Sequence, residues 1–405
     1  MIKWKIEQAI TFCDDVKDGT HDSPKHVSNG YKLLTSKHIT NGVIDTKTAK
    51  TISPIDYETI NKRSKVDVND ILFSMIGTIG SVCRIASEPN FAIKNMGLFK
   101  VSDEIRSKYL YYYLQSPTAK EYIASATSGS TQQYISLGSL RKFPIKYPSQ
   151  QSDMQRMVEI LDSLQKKITL NNHINDYLTE ALQTRFIHWI ESEDDPWGSM
   201  DAAAIGSLDL VVTDYVANGS FASLKQNVEL LNDGGYAYFM RNTDFKSGSF
   251  NVFVPEHSYR FLSKSALHGG EVIISNVGDV GSVHRCPVLD KPMTLGNNEI
   301  LVKGTINDQH ANDYLYLLFK SRLGQHLIDS VTGGSVQRKF NKTDFKSIEI
   351  PLPSKSGLRT FNCWSKPFFE TIEANRNEAR YLESLRDSLL SKLMSGEIDV
   401  SKVVV

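Results

Sequence analysis

The sequence predicts an α+β protein, with two duplicated globular domains joined by two long, antiparallel coiled-coil helices. Three observations carry that prediction. The chain repeats itself with a period of roughly 205 residues, each copy holds a glycine-broken apolar strand pair, and each copy ends in a heptad run.

The repeat is densest at "DILFSMIGTIGSVCRI" (70–85), which lies opposite "EVIISNVGDVGSVHRC" (271–286) with six of sixteen positions identical. Upstream, "YKLLTSKHITNG" (31–42) matches "AYFMRNTDFKSG" (237–248) in its apolar, polar and glycine positions. Downstream, residues 107–149 align without a gap to 312–354 with thirteen identities, among them Tyr109-Leu110-Tyr111 against Tyr314-Leu315-Tyr316. A β-branched, apolar run broken by glycines is the pattern of a buried strand pair with a tight turn. Gly77 and Gly80 read as turn positions that need positive φ. They do not read as a phosphate loop, because no Lys-Ser/Thr follows them. "YLYYYLQSPTAKEYI" reads as a short helix, and "FPIKYP" and "IEIPLP" as extended segments closed by proline.

After each closure the apolar period becomes 3.5. Met157, Leu161, Leu164, Ile168, Asn171, Asn175, Leu178 and Leu182 keep a 4-3 rhythm. So do Phe361, Ser365, Phe368, Ile372, Asn375, Ala379, Leu382, Arg386, Leu389 and Leu393. Heptads of this kind belong to helices that pack along a seam. Ser152 with Gln155 offers a capping box for the first helix, and Gly396 a stop for the second. Asn171 and Asn375 coincide under a shift of 204. Buried seam asparagines fix register and partner, which would make the two helices each other's partners. Left exposed, the same residues would be solvated seam-edge positions. Two equivalent halves about a pseudo-two-fold axis would run their helices antiparallel.

At 405 residues the chain has room for two or three domains. Its 40% apolar and 23% charged residues are those of a globular protein. Net charge is zero, so no overall basic excess points to nucleic acid; only residues 1–150 lean that way, with 20 Lys+Arg against 14 Asp+Glu, a net of +6. Cys13, Cys83, Cys286 and Cys363 form no Cys-x-x-Cys pair, and neither a secretory leader nor a membrane-length apolar run is visible. A cytoplasmic protein with reduced thiols and no membrane association is expected.

The sequence carries almost no catalytic motif. There is no Gly-x-x-x-x-Gly-Lys-Ser/Thr loop, no Asn/Asp-Pro-Pro-Tyr/Phe motif, no His-Glu-x-x-His, no zinc spacing and no Gly-x-Ser-x-Gly elbow. The Asp-x-Lys fragments at 15–17, 244–246 and 344–346 lack the upstream Pro-Asp of a nuclease. No catalytic residue, metal site or cofactor of its own is expected.

Two globules, each followed by a heptad helix, resemble the specificity (S) subunit of type I restriction-modification enzymes. The likeness is carried by "DGTHDSPK" (18–25), "GTIGSV" and "GDVGSV", "SGSTQQYISLGSLRKFPIKYPS" before the first helix, and "LESLRDSLLSKLMSGEI" (382–398). The second half lacks a recognisable "DGTH". The resemblance implies two target-recognition domains, residues 1–150 and 196–355, each reading one half of a split site in double-stranded DNA. It implies spacer helices in 151–195 and 356–405 that dock two methylase subunits. Those partners would use S-adenosylmethionine, and restriction subunits would add cleavage driven by ATP and Mg. None of that chemistry would belong to this chain. The residues leave open a two-domain protein-interaction scaffold that never touches DNA. The missing motifs oppose a self-contained DNA-modifying enzyme.

Base edges are read by side chains with paired donors or acceptors, and phosphates by cations, hydroxyls and backbone N–H groups. The first domain offers Lys17, Thr20, His21, Lys37, His38, Thr78, Arg84, Ser130, Gln132 and Gln133. The second offers Arg241, Asn242, Lys246, Asn276, Arg285, Ser335, Gln337, Arg338 and Lys339. Positions identical in both halves, such as Arg84/Arg285 and Gln132/Gln337, fit phosphate contacts or structural hydrogen bonds. Base choice is expected where the halves differ.

Overall fold

The computed structural model describes residues 2–40, 42–129, 133–191, 200–334 and 337–400. Two units divide the chain: residues 1–169 with 380–405, and residues 170–379. The long helices Gln151–Glu191 and Lys355–Ser395, 41 residues each, contribute to both.

In the first unit an antiparallel sheet runs in the order Asp15–Asp18, Met96–Lys100, Ile71–Ser74, Val82–Arg84. Every residue of Ile71–Ser74 is buried, and their alternation decides the layering. Ile71 and Phe73 enter one core with Tyr109, Leu110, Met157 and Leu161. Leu72 enters another with Leu34, Cys83 and Ile93. That second core lies against a smaller sheet, Lys50–Ile52, Tyr31–Leu34, Phe91–Ile93, whose last pair is parallel.

The second unit repeats the plan. Leu210–Asp214, Glu299–Ile306, Val272–Ser275 and Val283–Arg285 form its main sheet. Val272 and Ile274 pack with Tyr314 and Leu315, whereas Ile273 packs with Met240, Met293 and Leu295. Its smaller sheet again holds a parallel pair, Ala237–Met240 with Met293–Leu295. The turn glycines behave as their spacing requires: Gly77, Gly80, Gly278 and Gly281 have φ of 80°, 88°, 77° and 89°. Gly80 N donates to Ser74 O and Gly281 N to Ser275 O, both at 3.0 Å.

The short helix expected at 109–123 is two helices, Glu104–Tyr113 and Pro117–Ala126. Pro117 has no N–H to continue the first ladder, and the Ser116 side chain accepts from Ala119 N to start the second. The copy breaks at the same place, Asn312–Lys320 then Arg322–Ser330, with Ser321 as the cap. The extended segments are Pro144–Pro148, paired with Trp4–Gln8, and Glu349–Pro353, paired with Met200–Ala204.

The expected capping box at Ser152 does not form. Ser149 N is held by Lys3 O at 2.7 Å, so extended chain ends there and the helix begins at Gln151, with Ser152 already in its first turn. Gln155 instead donates to Glu159 at 2.9 Å. Gly396 does end the second helix, at φ 88°. Both helices bury or half-bury their seam positions. In the first unit Met157 and Leu161 share a core with Leu390, Leu393 and Met394. In the second, Asn171 is buried and Asn375 half-buried, and both are engaged across the seam rather than solvated, as is the buried Asn175. Asn171 Nδ2 donates to Glu378 Oε2 at 2.7 Å, Asn375 Nδ2 to Asn175 Oδ1 at 3.0 Å, and Asn175 Nδ2 to Ile372 O at 3.3 Å. Partner numbers fall on one helix as they rise on the other. Among the described residues no helix is long and apolar enough to cross a membrane.

Candidate nucleic-acid interface

Strand register gathers polar segments at one end of each main sheet. In the first unit Asp18 lies opposite Gly97, and Ser74 opposite Met96. The segments leaving these strands therefore emerge together. Thr20 N donates to Ile93 O at 3.0 Å, and Lys94 N to Leu34 O at 2.8 Å, which brings the 35–38 turn alongside. Thr20, His21, Lys37 and Thr78 share this end. So does Gln133, because Tyr134 bridges to Ile76 and Ile135 N donates to Met75 O at 3.0 Å.

The "DGTH" stretch is locked. A Cβ on Gly19 would lie 2.5 Å from Ile93 O. Buried Asp18 pairs with Arg63 and with His21 Nε2 at 3.0 Å, and His21 Nδ1 faces Asn95 Oδ1 at 2.8 Å. Thr78 and Gln133 are exposed, as is Lys37. Lys17, one residue further into the sheet, pairs with Asp15 at 3.3 Å. His38 is buried, its Nδ1 taking the Thr35 N–H at 2.9 Å, and burial lowers its pKa.

In the second unit Ser275 lies opposite Glu299, and Asp214 opposite Ile300. Gly296 N donates to Met240 O at 2.7 Å, placing Arg241 and the helix Asn242–Ser247 at this end. Asn276 N donates to Asn298 O at 3.0 Å, and Gly278 N to Arg338 O at 3.1 Å. Asn242, Lys246, Asn276, Gln337, Arg338 and Lys339 are thereby brought together. Several are already engaged. Arg241 forks onto Asp244 through Nε at 2.8 Å and Nη2 at 2.7 Å, and its backbone N–H donates to Asp244 Oδ2 at 3.0 Å as the Thr35 N–H does to His38 Nδ1 in the first copy. Asn276 Nδ2 donates to Phe340 O at 3.1 Å, and Arg338 pairs with Asp329. Lys246 pairs with Asp279 at 2.5 Å, a residue that a search for basic side chains passes over. Ser130, Gln132 and Ser335 lie outside the described residues.

Arg84 and Arg285 stand apart from both groups. They pair with Ile71 and Val272 at the far end of each hairpin from the glycine turn, about 10 Å away at ~3.3 Å per residue. Arg84 Nη2 donates to Asn69 Oδ1 at 2.5 Å and Nε to Ser107 Oγ at 3.2 Å. Arg285 Nε donates to Asp313 Oδ1 at 2.8 Å, and its guanidinium lies 4.8 Å from the Phe369 ring centre.

Beneath the second group, the Glu299 carboxyl is buried, and neither of its oxygens has a side-chain donor among the described residues. Burial pushes its pKa up to about 8, with the Asp244 charge adding to that and the Asn242 backbone amide opposing it. Below the ordinary value of 4.5 the group is protonated whether folded or unfolded. Between 4.5 and about 8 the folded chain keeps a proton that the unfolded chain releases, so stability falls as pH rises through that window. Glu299→Gln is expected to raise the melting temperature above the window and to leave it unchanged below. Melting curves of both proteins on either side decide this, and parallel pH profiles would count against it.

The family model of the type I restriction modification DNA specificity domain matches residues 22–180 and 216–357. The type I restriction enzyme MjaIX specificity subunit of Methanocaldococcus jannaschii is 23% identical over 350 residues, covering 82% of this chain and 78% of that one. The HindI specificity subunit of Haemophilus influenzae is 22% identical over 361 residues, covering 72% of this chain and 77% of its own. The crystal structure of the S subunit of a type I restriction-modification system from M. genitalium has the same fold, with a TM-score of 0.56 at 16% identity over 97% of this chain and 96% of that one.

Proposed function

Because the chain belongs to the type I restriction modification DNA specificity domain family, we propose that it is the sequence-recognition subunit of a type I restriction-modification complex, without catalysis of its own. Residues 1–150 and 196–355 act as target-recognition domains, each reading one half of a bipartite site. The helices in 151–195 and 356–405 form an antiparallel coiled coil that spaces the two readers and docks two methylase subunits. Restriction subunits join the same complex. S-adenosylmethionine, ATP and Mg are used by those partners.

One observation carries the reading: the same sheet end is polar in both units, but it is furnished with different side chains. A shared scaffold with Thr20, His21, Lys37 and Thr78 at one copy and Asn242, Lys246, Asn276 and Lys339 at the other suits two readers of different bases. Arg84 and Arg285, identical and internally paired, serve the scaffold in this reading.

Exchange of residues 1–150 for the matching region of a relative with another target, coexpressed with the methylase, is expected to rewrite one half-site only. Methylome sequencing reads the result. A motif unchanged, or rewritten in both halves, would remove the assignment of one reader to each domain.

A further inference from the structure

The two copies of the glycine turn differ at the residue after their first glycine. The first has Thr78, exposed, with no side-chain hydrogen bond among the described residues. The second has Asp279, whose side chain is about half exposed, at 49%. Three donors converge on one of its oxygens. Asp279 Oδ2 accepts from Asn242 Nδ2 at 2.9 Å, from Lys246 Nζ at 2.5 Å and from Ser282 Oγ at 2.5 Å. These bonds, that from Lys246 first, hold the carboxyl well below the usual carboxylate range, so it is ionised at any physiological pH.

The clamp is itself oriented. His284 Nε2 faces Asn242 Oδ1 at 2.9 Å, and its ring stacks on Phe245 with centres 5.2 Å apart and planes 16° from parallel. Burial pushes the His284 pKa down to about 4. The imidazole is therefore neutral and donates through Nε2 to the Asn242 carbonyl, which leaves the Asn242 amide nitrogen for Asp279. Phe245 packs with Met240 and Ile273 in the core beneath the turn. The first copy has Cys83 at the His284 position and Ser36 at the Asn242 position, so this network belongs to the second copy alone.

What remains is the other oxygen. Asp279 Oδ1 meets no donor among the described residues, while Oδ2 is pinned from three sides. An ionised carboxylate can only accept. It repels phosphate and the acceptor atoms of base edges, guanine O6 and N7 and thymine O4. It attracts an exocyclic amino group, cytosine N4 or adenine N6. Lys246 offsets its charge enough for the turn to approach a polyanion. A fixed, solvent-facing acceptor at the DNA-facing end thus has a defined chemical preference.

Resting on the reading of this chain as a DNA-recognition subunit, we propose that Asp279 is a specificity-determining residue of the second recognition domain. Its free oxygen accepts a hydrogen bond from the exocyclic amino group of a cytosine or adenine. Asn242, Lys246 and Ser282 are positioning residues that hold the carboxylate for that contact.

The test is methylome sequencing of cells carrying the whole complex, wild type or with Asp279→Asn. The half-site concerned is the one that exchange of residues 1–150 leaves alone. In the wild type it is expected to require cytosine or adenine at one position, and the motif itself tells the two apart. Asp279→Asn can donate as well as accept, so thymine or guanine should be admitted there, with roughly tenfold loss of discrimination. The other half-site stays as it was. Lys246→Ala removes one of the three donors that hold the carboxylate but leaves the carboxylate itself, so the preference for cytosine or adenine should persist with a smaller loss of discrimination than in Asp279→Asn. Asp279→Ser supplies a second loss of the carboxylate should the amide variant fail to assemble. An unaltered motif in both Asp279 variants would overturn the proposal. Uniform loss with the preference retained would do the same, leaving Asp279 a brace for the turn. A wild-type methylome with no motif dependent on this chain would instead sink the reading beneath it.

Discussion

A heptad inserted after Leu164, with a second after Arg386, is expected to lengthen the gap between the half-sites by about one to three base pairs and leave both half-sites unchanged. The paired points follow from the seam. Arg386 Nη1 donates to Gln165 Oε1 at 2.7 Å. Cuts just beyond that bond on the side of the first globule, one in each helix, place the two new heptads opposite each other. Leu161, Leu390 and Leu393 then shift together with the first globule they pack on. Asn171 with Glu378, and Asn175 with Asn375, keep their partners. Equivalent points of the repeat, Leu164 and Phe368, would serve less well, because opposed helices do not pair equivalent residues. Phe368 lies near the Asn175–Ile372 contact, so an insertion there would face unbroken helix. Seven residues at ~1.5 Å add about 10 Å, or roughly three base pairs at ~3.4 Å each. The duplex also turns by about a third of a revolution over that length, which lowers affinity if the globules cannot follow. Methylome sequencing gives the spacer directly. A fully methylated site with its original spacer would show that the helices do not set the distance.

Much of the scaffold was legible because its constraints are local and repeated. Glycines at 77, 80, 278 and 281 announce positive φ, and alternating buried residues such as Ile71, Leu72 and Phe73 announce a strand covered on both faces. The Ser116-Pro117 break was visible in principle, since a cap followed by proline at the first helical position is a start signal in its own right. The helix start at Gln151 was not, because it depends on Lys3, far away in sequence, holding the Ser149 amide. At the candidate site, His21, Lys37 and Lys246 follow from residue type alone. Arg84 and Arg285 drew attention by identity, and each is tied to partners within its own unit, Asn69 and Ser107 for the first and Asp313 for the second. Asp279 escaped for the opposite reason. An acid contradicts a search for cations, and only the parallel pairing of Met240 with Leu295 brings its partners Asn242 and Lys246 beside it.

The largest loss of stability is expected from Phe186→Ala. Phe186 and Trp189 continue the 4-3 rhythm of the first long helix past Leu182, and both are fully buried within the second unit. The Phe186 ring lies 5.7 Å from Trp189, 5.7 Å from Tyr314 and 5.8 Å from Phe361. Trp189 stacks on Phe361 at 5.3 Å, and the Tyr314 hydroxyl is tied to Pro351 O. One ring thus joins the first long helix, the globule and the second long helix. Removing it leaves a cavity whose walls come from three separate elements and cannot all close inward. The cost is about 3–5 kcal/mol, a large share of the ~5–15 kcal/mol that holds a typical domain folded. Hydrogen exchange on the full chain should show protection falling in residues 170–379, while Ile71, Phe73 and Tyr109 of the other unit keep theirs. In the complex, methylation should fail through loss of the reader at 196–355, and any residual activity should retain the bases of the other half-site. Phe186→Leu, which refills much of the volume, should recover most of the loss. A Phe186→Ala protein with melting and exchange close to wild type would mean that the aromatic cluster does not tie the helices to the globule.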